Sequence, residues 1–386
     1  MKSENERVAS AAQAVLEEFP PDQVGITAFY GACFDAGLSW VHFPAGLGGL
    51  GHSRGAQQAA DEVFREAGVR SPFFENPIGY GMGAPTVCEH AAPELAARLL
   101  RPLATCEDIW CQLFSEPSAG SDLASLATSA VRNGDRWIVN GQKVWTSYAH
   151  RARWAMLLAR TDPAAPKHQG LTYFVVDMHH PGVQVRPLRQ MTGEAEFNEV
   201  YLTDVVIPDT HRLGEVGNGW RVAMTTLMNE RSSIGAAVVT GAEIALDLWQ
   251  SRPESHTPVL RDRLVELWIA DQSHRLTTAR AQVGGASSSP GPEGSIAKLF
   301  GAEFNQDVFD FCMDLLGPEA TLYDSYDLAP AANGHSIQRQ FLRSRANTIE
   351  GGTSDVLRNI LAERILGLPK EPRTDDTLPW KDIPRG

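Results

Sequence analysis

The sequence has few cysteines, and they form no recognisable pattern. None of the five lies in a C-x-x-C pair. An odd number without such pairs argues against a disulfide framework and against a zinc site. We therefore expect free thiols and no bound metal. The five are Cys33, Cys88, Cys106, Cys111 and Cys312.

Positive charge and long apolar runs are also scarce. Lys and Arg total 34 against 47 Asp and Glu, a formal net charge of -13. Such a chain has no basic field to gather nucleic acid or anionic lipid, so an acidic ligand must be held by local groups. No run of about 18 apolar residues occurs, and the polar start MKSENERVAS lacks the apolar core of a signal peptide. We expect a cytoplasmic protein without nucleic-acid or membrane partners.

Several common catalytic motifs are missing as well. The chain has no G-x-G-x-x-G after a strand, no G-x-S-x-G, no P-loop and no H-E-x-x-H. A Rossmann dinucleotide site and a zincin metal site are therefore not supported. With 386 residues, of which 43% are hydrophobic, the chain is long enough for two or three domains.

Three textures follow one another along the chain. Apolar spacings of three and four predict helices over 8–19, 26–36 and 57–67. Short β-rich runs then extend from Trp110 to about Pro208, and Asn133-Gly134 and Asn140-Gly141 are expected to form tight hairpin turns. Helical periodicity returns near 219–250, 258–284, 294–316 and 337–366.

This order predicts an α+β fold. We expect an N-terminal helical domain over 1–108, a middle β-barrel or sandwich over 109–213, a C-terminal four-helix bundle over 214–368 and a surface tail over 369–386.

Three separated segments carry a resemblance to a known family. They read CQLFSEPSAGSDLASLATSA, NGQKVWTS and TIEGGTSDVLRNILAERILGLP. With them the chain resembles the acyl-CoA dehydrogenases over nearly its whole length. The resemblance implies that family's α+β fold, an FAD cofactor and α,β-dehydrogenation of an acyl-CoA or acyl carrier protein thioester. It also implies an electron-transfer flavoprotein as electron acceptor.

The first two segments contain the residues that would bind the flavin. A flat, apolar ring edged with donors and acceptors needs backbone N–H groups, hydroxyls and an aromatic wall. By resemblance, Phe114 and Ser115 would contact the isoalloxazine edge. Trp145, Thr146 and Ser147 would cover its face and reach O4 and N5. The alternative for Trp145 is a plain core aromatic.

Other contacts are implied by shorter matches. Ser121 would touch the flavin pyrophosphate or the bound thioester, or would be only a turn serine. Thr353 precedes a helix, where an anion such as the flavin diphosphate is favoured. Asp355 stands where the family often has Gln or Glu, and Gly317 alone remains of a glycine-rich turn.

The reaction needs a carboxylate base, and the family has two places for it. Most members keep a glutamate in the turn before G-T-S, but that position is Gly351 here, with Glu350 one residue earlier. The long-chain and isovaleryl enzymes place it before an arginine in the first bundle helix, which matches Glu230 and Arg231. The resemblance implies Glu230 as the base and Glu350 as its rival, with Arg231 structural, orienting or substrate-binding.

The same turn would also activate the substrate carbonyl. In the family, a backbone N–H there joins the flavin ribityl 2′-hydroxyl, and Gly351 is the matching donor. The alternative for Glu230 is a solvated or ion-paired helix residue.

One family feature is missing. The R-x-x-F-G segment that grips the adenine half of FAD from a neighbouring subunit is absent. This resembles a branch of actinobacterial dehydrogenases for bulky or sterol-derived acyl groups. A homodimer or homotetramer is implied, or a complex with an unlike sister subunit. A flavin oxidase or monooxygenase, or a non-catalytic subunit that completes an FAD site, are the competing functions.

Overall fold

The structure is a computed structural model that describes residues 3–237, 241–284, 293–323, 336–370, 372, 375 and 377–383. Its helices are α1 (Glu4–Glu18), α2 (Pro21–Val24), α3 (Ile26–Asp35), α4 (Gln57–Glu66), α5 (Ala84–His90), α6 (Pro93–Ala104), α7 (Gly219–Ala237), α8 (Glu243–Ser251), α9 (Pro258–Gly284), α10 (Glu293–Leu316), α11 (Ile337–Ser344) and α12 (Ser354–Arg364). Its strands are β1 (Trp110–Leu113), β2 (Ser129–Asn133), β3 (Arg136–Ser147), β4 (Trp154–Arg160), β5 (Leu171–Asp177), β6 (Val183–Pro187), β7 (Phe197–Pro208) and β8 (Arg212–Leu213). The α+β fold is confirmed.

The N-terminal helices form where the apolar spacing predicted them. α1 begins with a capping box, because Ser3 accepts from the Glu6 N–H while the Glu6 carboxylate accepts from the Ser3 N–H. Its buried face contains Val8, Ala12 and Val15 and packs with α3 and α4.

The eight strands form one sheet in the order β6-β7-β3-β2-β4-β5-β8, with β1 beside β4. The expected hairpin joins β2 and β3: Asn133 ends β2 opposite Arg136, and Gly134, with φ 64°, forms the turn with Asp135. The turn predicted at Asn140-Gly141 is wrong, since both residues lie inside β3. Gly141 is needed there for close approach, because a Cβ atom would lie 2.3 Å from the Thr128 hydroxyl.

Two of the four predicted C-terminal stretches, 258–284 and 294–316, are single helices, α9 and α10, and the other two are each divided. The stretch near 219–250 contains α7 and α8, and the stretch near 337–366 contains α11 and α12. The second break occurs because Gly351 and Gly352 have φ 62° and 98°, which an α-helix cannot contain. The Thr353 hydroxyl then caps α12.

By its internal contacts the chain divides into two compact units. The first unit comprises Met1–Pro187, Phe197–Thr226 and Thr374–Gly386, and the second comprises Leu188–Glu196 and Leu227–Arg373. Among the described helices, none combines the length and the apolar character that a membrane crossing requires.

Candidate active site

In the first unit, two of the three segments that the sequence singled out lie side by side. The Val144 N–H donates to the Ser115 carbonyl over 2.9 Å, so the end of β1 and the outer half of β3 are joined. Glu116 and Ala119 exchange two backbone hydrogen bonds and close a tight turn. The segments SEPSAG and KVWTS therefore form one surface of the first unit.

A buried ion pair anchors this turn on its interior side. The Glu116 and Lys143 side chains are 5% and 0% exposed and lie 2.9 Å apart. The Lys143 ammonium also donates to two carbonyls, those of Phe114 at 2.9 Å and Leu158 at 3.0 Å. The Glu116 carboxylate accepts from two further backbone N–H groups, those of Ala127 and Thr128.

The environment of the pair explains its charge state. Burial alone would raise the pKa of Glu116, but the charge of Lys143 and the hydrogen bonds outweigh it and hold that pKa below its usual value. Burial lowers the pKa of Lys143, and the nearby carboxylate opposes that shift. The sequence interpretation missed both residues. The sequence could have indicated Lys143, because side chains alternate along a strand and Lys143 falls on the same face of β3 as the buried Trp137 and Val139.

Trp145 is an exposed aromatic held in an unfavourable backbone conformation. Its φ is 61°, in the left-handed region, at a bulge where the pairing of β3 with β7 shifts between Lys143 and Thr146. A non-glycine residue there costs about 1–3 kcal/mol. The residue is nonetheless 61% exposed, so it is not a core aromatic. The bulge presents a flat apolar surface.

Thr146 places an unsatisfied hydroxyl beside that surface. The residue is 1% exposed, and among the described residues its Oγ1 has no hydrogen-bond partner. A buried hydroxyl without a partner costs about 1–3 kcal/mol, which a ligand acceptor or donor would recover. Ser147 ends β3 and is half-buried. Phe114 is buried edge-on against Tyr173 and its carbonyl accepts from Lys143, so only its backbone N–H is left for a ligand.

Ser121 lies at the open end of the same loop. It is exposed, and a Cβ atom added at the preceding Gly120 would have no atom within 4 Å. The backbone at Gly120 is therefore open to close approach by a ligand. A hydroxyl and an accessible main chain suit a phosphate-bearing group.

In the second unit, the third segment forms a turn between α11 and α12 that is anchored to α10. The Lys298 ammonium is buried and donates to the carbonyls of Asn347 and Gly352 over 2.8 and 2.7 Å. Gly351 lies between these two anchors. Among the described residues, its N–H donates no hydrogen bond within the chain, so it can serve a ligand carbonyl.

The Glu350 carboxylate is already engaged within this turn. The Arg343 guanidinium donates to both of its oxygens, over 3.0 and 2.9 Å, and the Asn347 amide adds a bond of 2.8 Å. A carboxylate held by three donors is suited to fixing the turn and poorly suited to removing a proton.

Two further carboxylates surround Arg343, and the sequence interpretation missed them. Glu194 is buried and makes a bidentate pair with Arg339. Burial and the neighbouring carboxylates raise the pKa of Glu196, although Arg343 opposes that shift. No motif marked this loop, because its partners come from α11 about 145 residues later.

Glu230 lies on α7, and its side chain is half-buried, as are Met224, Leu227 and Met228. Half-burial argues against the fully solvated alternative but does not test the ion-paired one, and the predicted apolar face is only partly shielded. The side chain of Arg231 lies outside the described part of the structure.

The remaining predicted residues lie in the second unit. Thr353 accepts from the Val356 N–H as the cap of α12, which leaves its hydroxyl hydrogen for a ligand. Asp355 is exposed and lies 3.7 Å from Arg358. Gly317 follows α10 with φ 56° in open space. Ser354, which was not predicted, has a buried hydroxyl without a partner among the described residues.

Comparisons with known proteins identify the family. The model of the acyl-CoA dehydrogenase middle domain matches residues 111–205, and that of the acyl-CoA dehydrogenase C-terminal domain matches residues 217–366. Acyl-CoA dehydrogenase FadE34 of Mycobacterium tuberculosis is 41% identical over 88% of this chain. The match covers 46% of FadE34, so this chain spans about half the length of that relative.

Two further comparisons cover whole proteins. Acyl-CoA dehydrogenase IpdE1 of Mycobacterium tuberculosis is 38% identical over 88% of this chain and 86% of its own length. The solved Tcur3481-Tcur3483 steroid ACAD shares the fold with a TM-score of 0.73 and 24% identity, over 95% of this chain and 98% of the solved chain. This chain therefore belongs to the acyl-CoA dehydrogenase family, whose members are flavoproteins, and is an oxidoreductase that acts on CH–CH donors.

Proposed function

We propose that this chain is an FAD-dependent dehydrogenase that converts an acyl thioester into its trans-2-enoyl thioester. The observation that carries the proposal is the exposed, strained Trp145 beside the unsatisfied Thr146 hydroxyl, next to the Ser115 turn. These are the aromatic wall and polar edge that a flavin requires. Bound FAD would supply the acceptor for the hydride that leaves the β-carbon.

The first unit would hold the ring and part of the phosphates. Trp145 would cover the ring, and Thr146 and Ser147 would bond its polar edge. The backbone at Phe114 and Ser115 would line that edge, and Ser121 would bind a phosphate oxygen or the thioester.

The second unit has anion-binding groups of its own. Thr353 and the N-terminus of α12 favour an anion, and Ser354 offers an unsatisfied hydroxyl nearby. Gly317 and Asp355 stay predictions, because Gly317 lies in open space and Asp355 lies beside Arg358.

Glu230 is the proposed base that removes the α-proton. Its half-buried position on α7 supports the assignment, and the three donors that occupy Glu350 weaken the rival. Abstraction of the α-proton also needs a polarised carbonyl, and the Gly351 N–H is the proposed donor to the thioester oxygen. Arg231 would orient the base or contact the substrate.

The substrate and partners follow from the family only in outline. Acyl-CoA is the implied substrate, and we propose a bulky acyl group, because a similarly folded structure is a steroid ACAD. An electron-transfer flavoprotein would receive the electrons. Exposed Val265, Trp268, Ile269 and Leu276 lie on one face of α9 and support association with a second copy or a sister chain. The mass of the purified protein in solution tests this.

Anaerobic mixing tests the function. The purified protein should be yellow, and a panel of linear, branched and sterol-derived acyl-CoA esters should include one that bleaches the flavin absorbance. Slow recovery in air supports a dehydrogenase, whereas rapid recovery with peroxide formation supports the oxidase. A protein that is colourless after reconstitution with FAD contradicts the proposal and favours a non-catalytic subunit.

A further inference from the structure

The C-terminal end of the chain folds back onto the loop that carries Ser121. We call residues 375 and 377–383 the C-terminal strap. The Trp380 N–H donates to the Ala165 carbonyl over 2.9 Å, and the Lys381 N–H donates to the Pro163 carbonyl over 3.0 Å. The strap therefore belongs to the first unit.

Beneath the strap, a buried arginine holds the loop by its main chain. Arg160 is 3% exposed and donates to the carbonyls of Ala124, at 2.6 Å, and Leu126, at 3.3 Å. Its guanidinium carbon lies 4.5 Å from the centre of the Trp380 ring, a cation–π contact on the strap side. The Trp380 indole N–H donates to the Ser125 carbonyl over 3.1 Å.

A second cation connects the strap to the residue after Ser121. The Lys167 ammonium lies 3.0 Å from Asp122 and 2.7 Å from Asp375 of the strap. Lys167 is itself buried, whereas the Asp122 and Asp375 side chains are 57% and 28% exposed. The loop is thus fixed at Asp122 and at three successive carbonyls by groups that the strap covers or contacts.

From this geometry we propose that the strap positions the Ser121 loop for a phosphate-bearing ligand, with Trp380 as the positioning residue. The inference rests on the proposed function, in which Ser121 contacts the pyrophosphate of FAD or the coenzyme A thioester. The two matched family models cover residues 111–205 and 217–366, so neither includes the strap.

Hydrogen exchange of the full chain without added substrate tests the structural half of the proposal. In Trp380→Ala, the amides of Ser125 and Leu126, which are bonded only within the loop, should exchange about tenfold faster. The amides of Ala127 and Thr128 donate to Glu116 and should not change. Unchanged exchange at Ser125 and Leu126 overturns the proposal.

Affinity measurements test the functional half. Trp380→Ala should weaken FAD or free coenzyme A about five- to tenfold, the scale of one cation–π contact and one hydrogen bond. The turnover rate with saturating FAD and a saturating acyl-CoA substrate should stay within about twofold. The ligand whose affinity falls, FAD or coenzyme A, is the one that the loop binds. Unchanged affinity for both, even with faster exchange or a lower melting temperature, overturns the proposal.

Two variants control the experiment. Trp380→Phe keeps the ring over Arg160 and should restore most of the affinity, and it replaces the alanine variant if that fails to fold. Lys381→Ala removes an exposed side chain of the same strap and should match wild type. A wild-type protein that binds neither FAD nor coenzyme A contradicts the proposed function, whereas the exchange data report on the strap independently.

Discussion

The proposed ligand-binding backbone is anchored differently in the two units. In the first unit, the turn from Ser115 to Ala119 is fixed by the fully buried pair of Glu116 and Lys143. In the second unit, the turn around Gly351 is fixed by Lys298 through neutral carbonyls, and by the pair of Glu350 and Arg343, whose side chains are 23% and 27% exposed.

The difference lies in how far each anchor depends on its charged partner. Removing one member of a fully buried ion pair leaves the other charge without solvation, which strongly lowers stability. In a partly exposed pair, water can solvate the remaining charge. We infer that the first turn loses its anchor when either charge of its pair is removed, and that the second turn tolerates the loss of a charge. Substitutions at the first turn should therefore lower stability more than substitutions at the second.

The largest expected effect follows from Lys143→Met. This change leaves Glu116 buried without its cation, and the free energy of unfolding should fall by about 3–5 kcal/mol. Chemical denaturation measures it. The double variant Glu116→Gln with Lys143→Met should recover part of the loss, because no buried charge remains. A single-variant loss below about 1 kcal/mol would show that water compensates the carboxylate.

A smaller effect is expected from Lys298→Met. Two carbonyls lose their shared donor, so the free energy of unfolding should fall by about 1–3 kcal/mol. Because Gly351 lies between those carbonyls, kcat should fall more than KM rises. Lys381→Ala, at an exposed lysine, is the matched control and should change neither quantity. Equal stability losses in Lys143→Met and Lys298→Met would break the comparison.

The smallest effect concerns pH. Burial raises the pKa of Glu196, so the folded state favours the protonated carboxyl, and that contribution to stability is lost as pH rises through the folded-state pKa. Glu196→Gln should therefore have a higher melting temperature than wild type at pH 7–8. The advantage should shrink as the pH falls and vanish at about pH 3, below the ordinary glutamate pKa of about 4.3, where the carboxyl is protonated in both states. An advantage of the same size at both pH values would assign the effect to packing.

Much of the fold was predictable because periodicity reflects burial. The alternation in β3 and β7 and the apolar spacing in α1, α3 and α4 were sufficient for those elements. The Asn140-Gly141 pair gave a wrong prediction, because a glycine can be needed either for a turn or for close packing of the backbone against a neighbour. Only the position of Thr128 in the fold distinguishes the two.

The site was predictable where a motif carried it and not where tertiary contacts did. The W-T-S segment indicated Trp145 and Thr146, but sequence could not show that the ring is exposed or that the hydroxyl lacks a partner. No local sequence pattern predicts two of the ion pairs, because they join residues far apart in sequence. These are Glu194 with Arg339 and Lys167 with Asp375.

Rapid anaerobic mixing of flavin-loaded Glu230→Gln and Glu350→Gln with an acyl-CoA that bleaches the wild type tests the central claim, that the base lies on α7. Glu230→Gln should bleach at least about 100-fold more slowly, as expected for loss of a general base, and Glu350→Gln should stay within about tenfold of wild type. Bleaching of Glu230→Gln at the native rate, with Glu350→Gln inactive, would contradict the assignment.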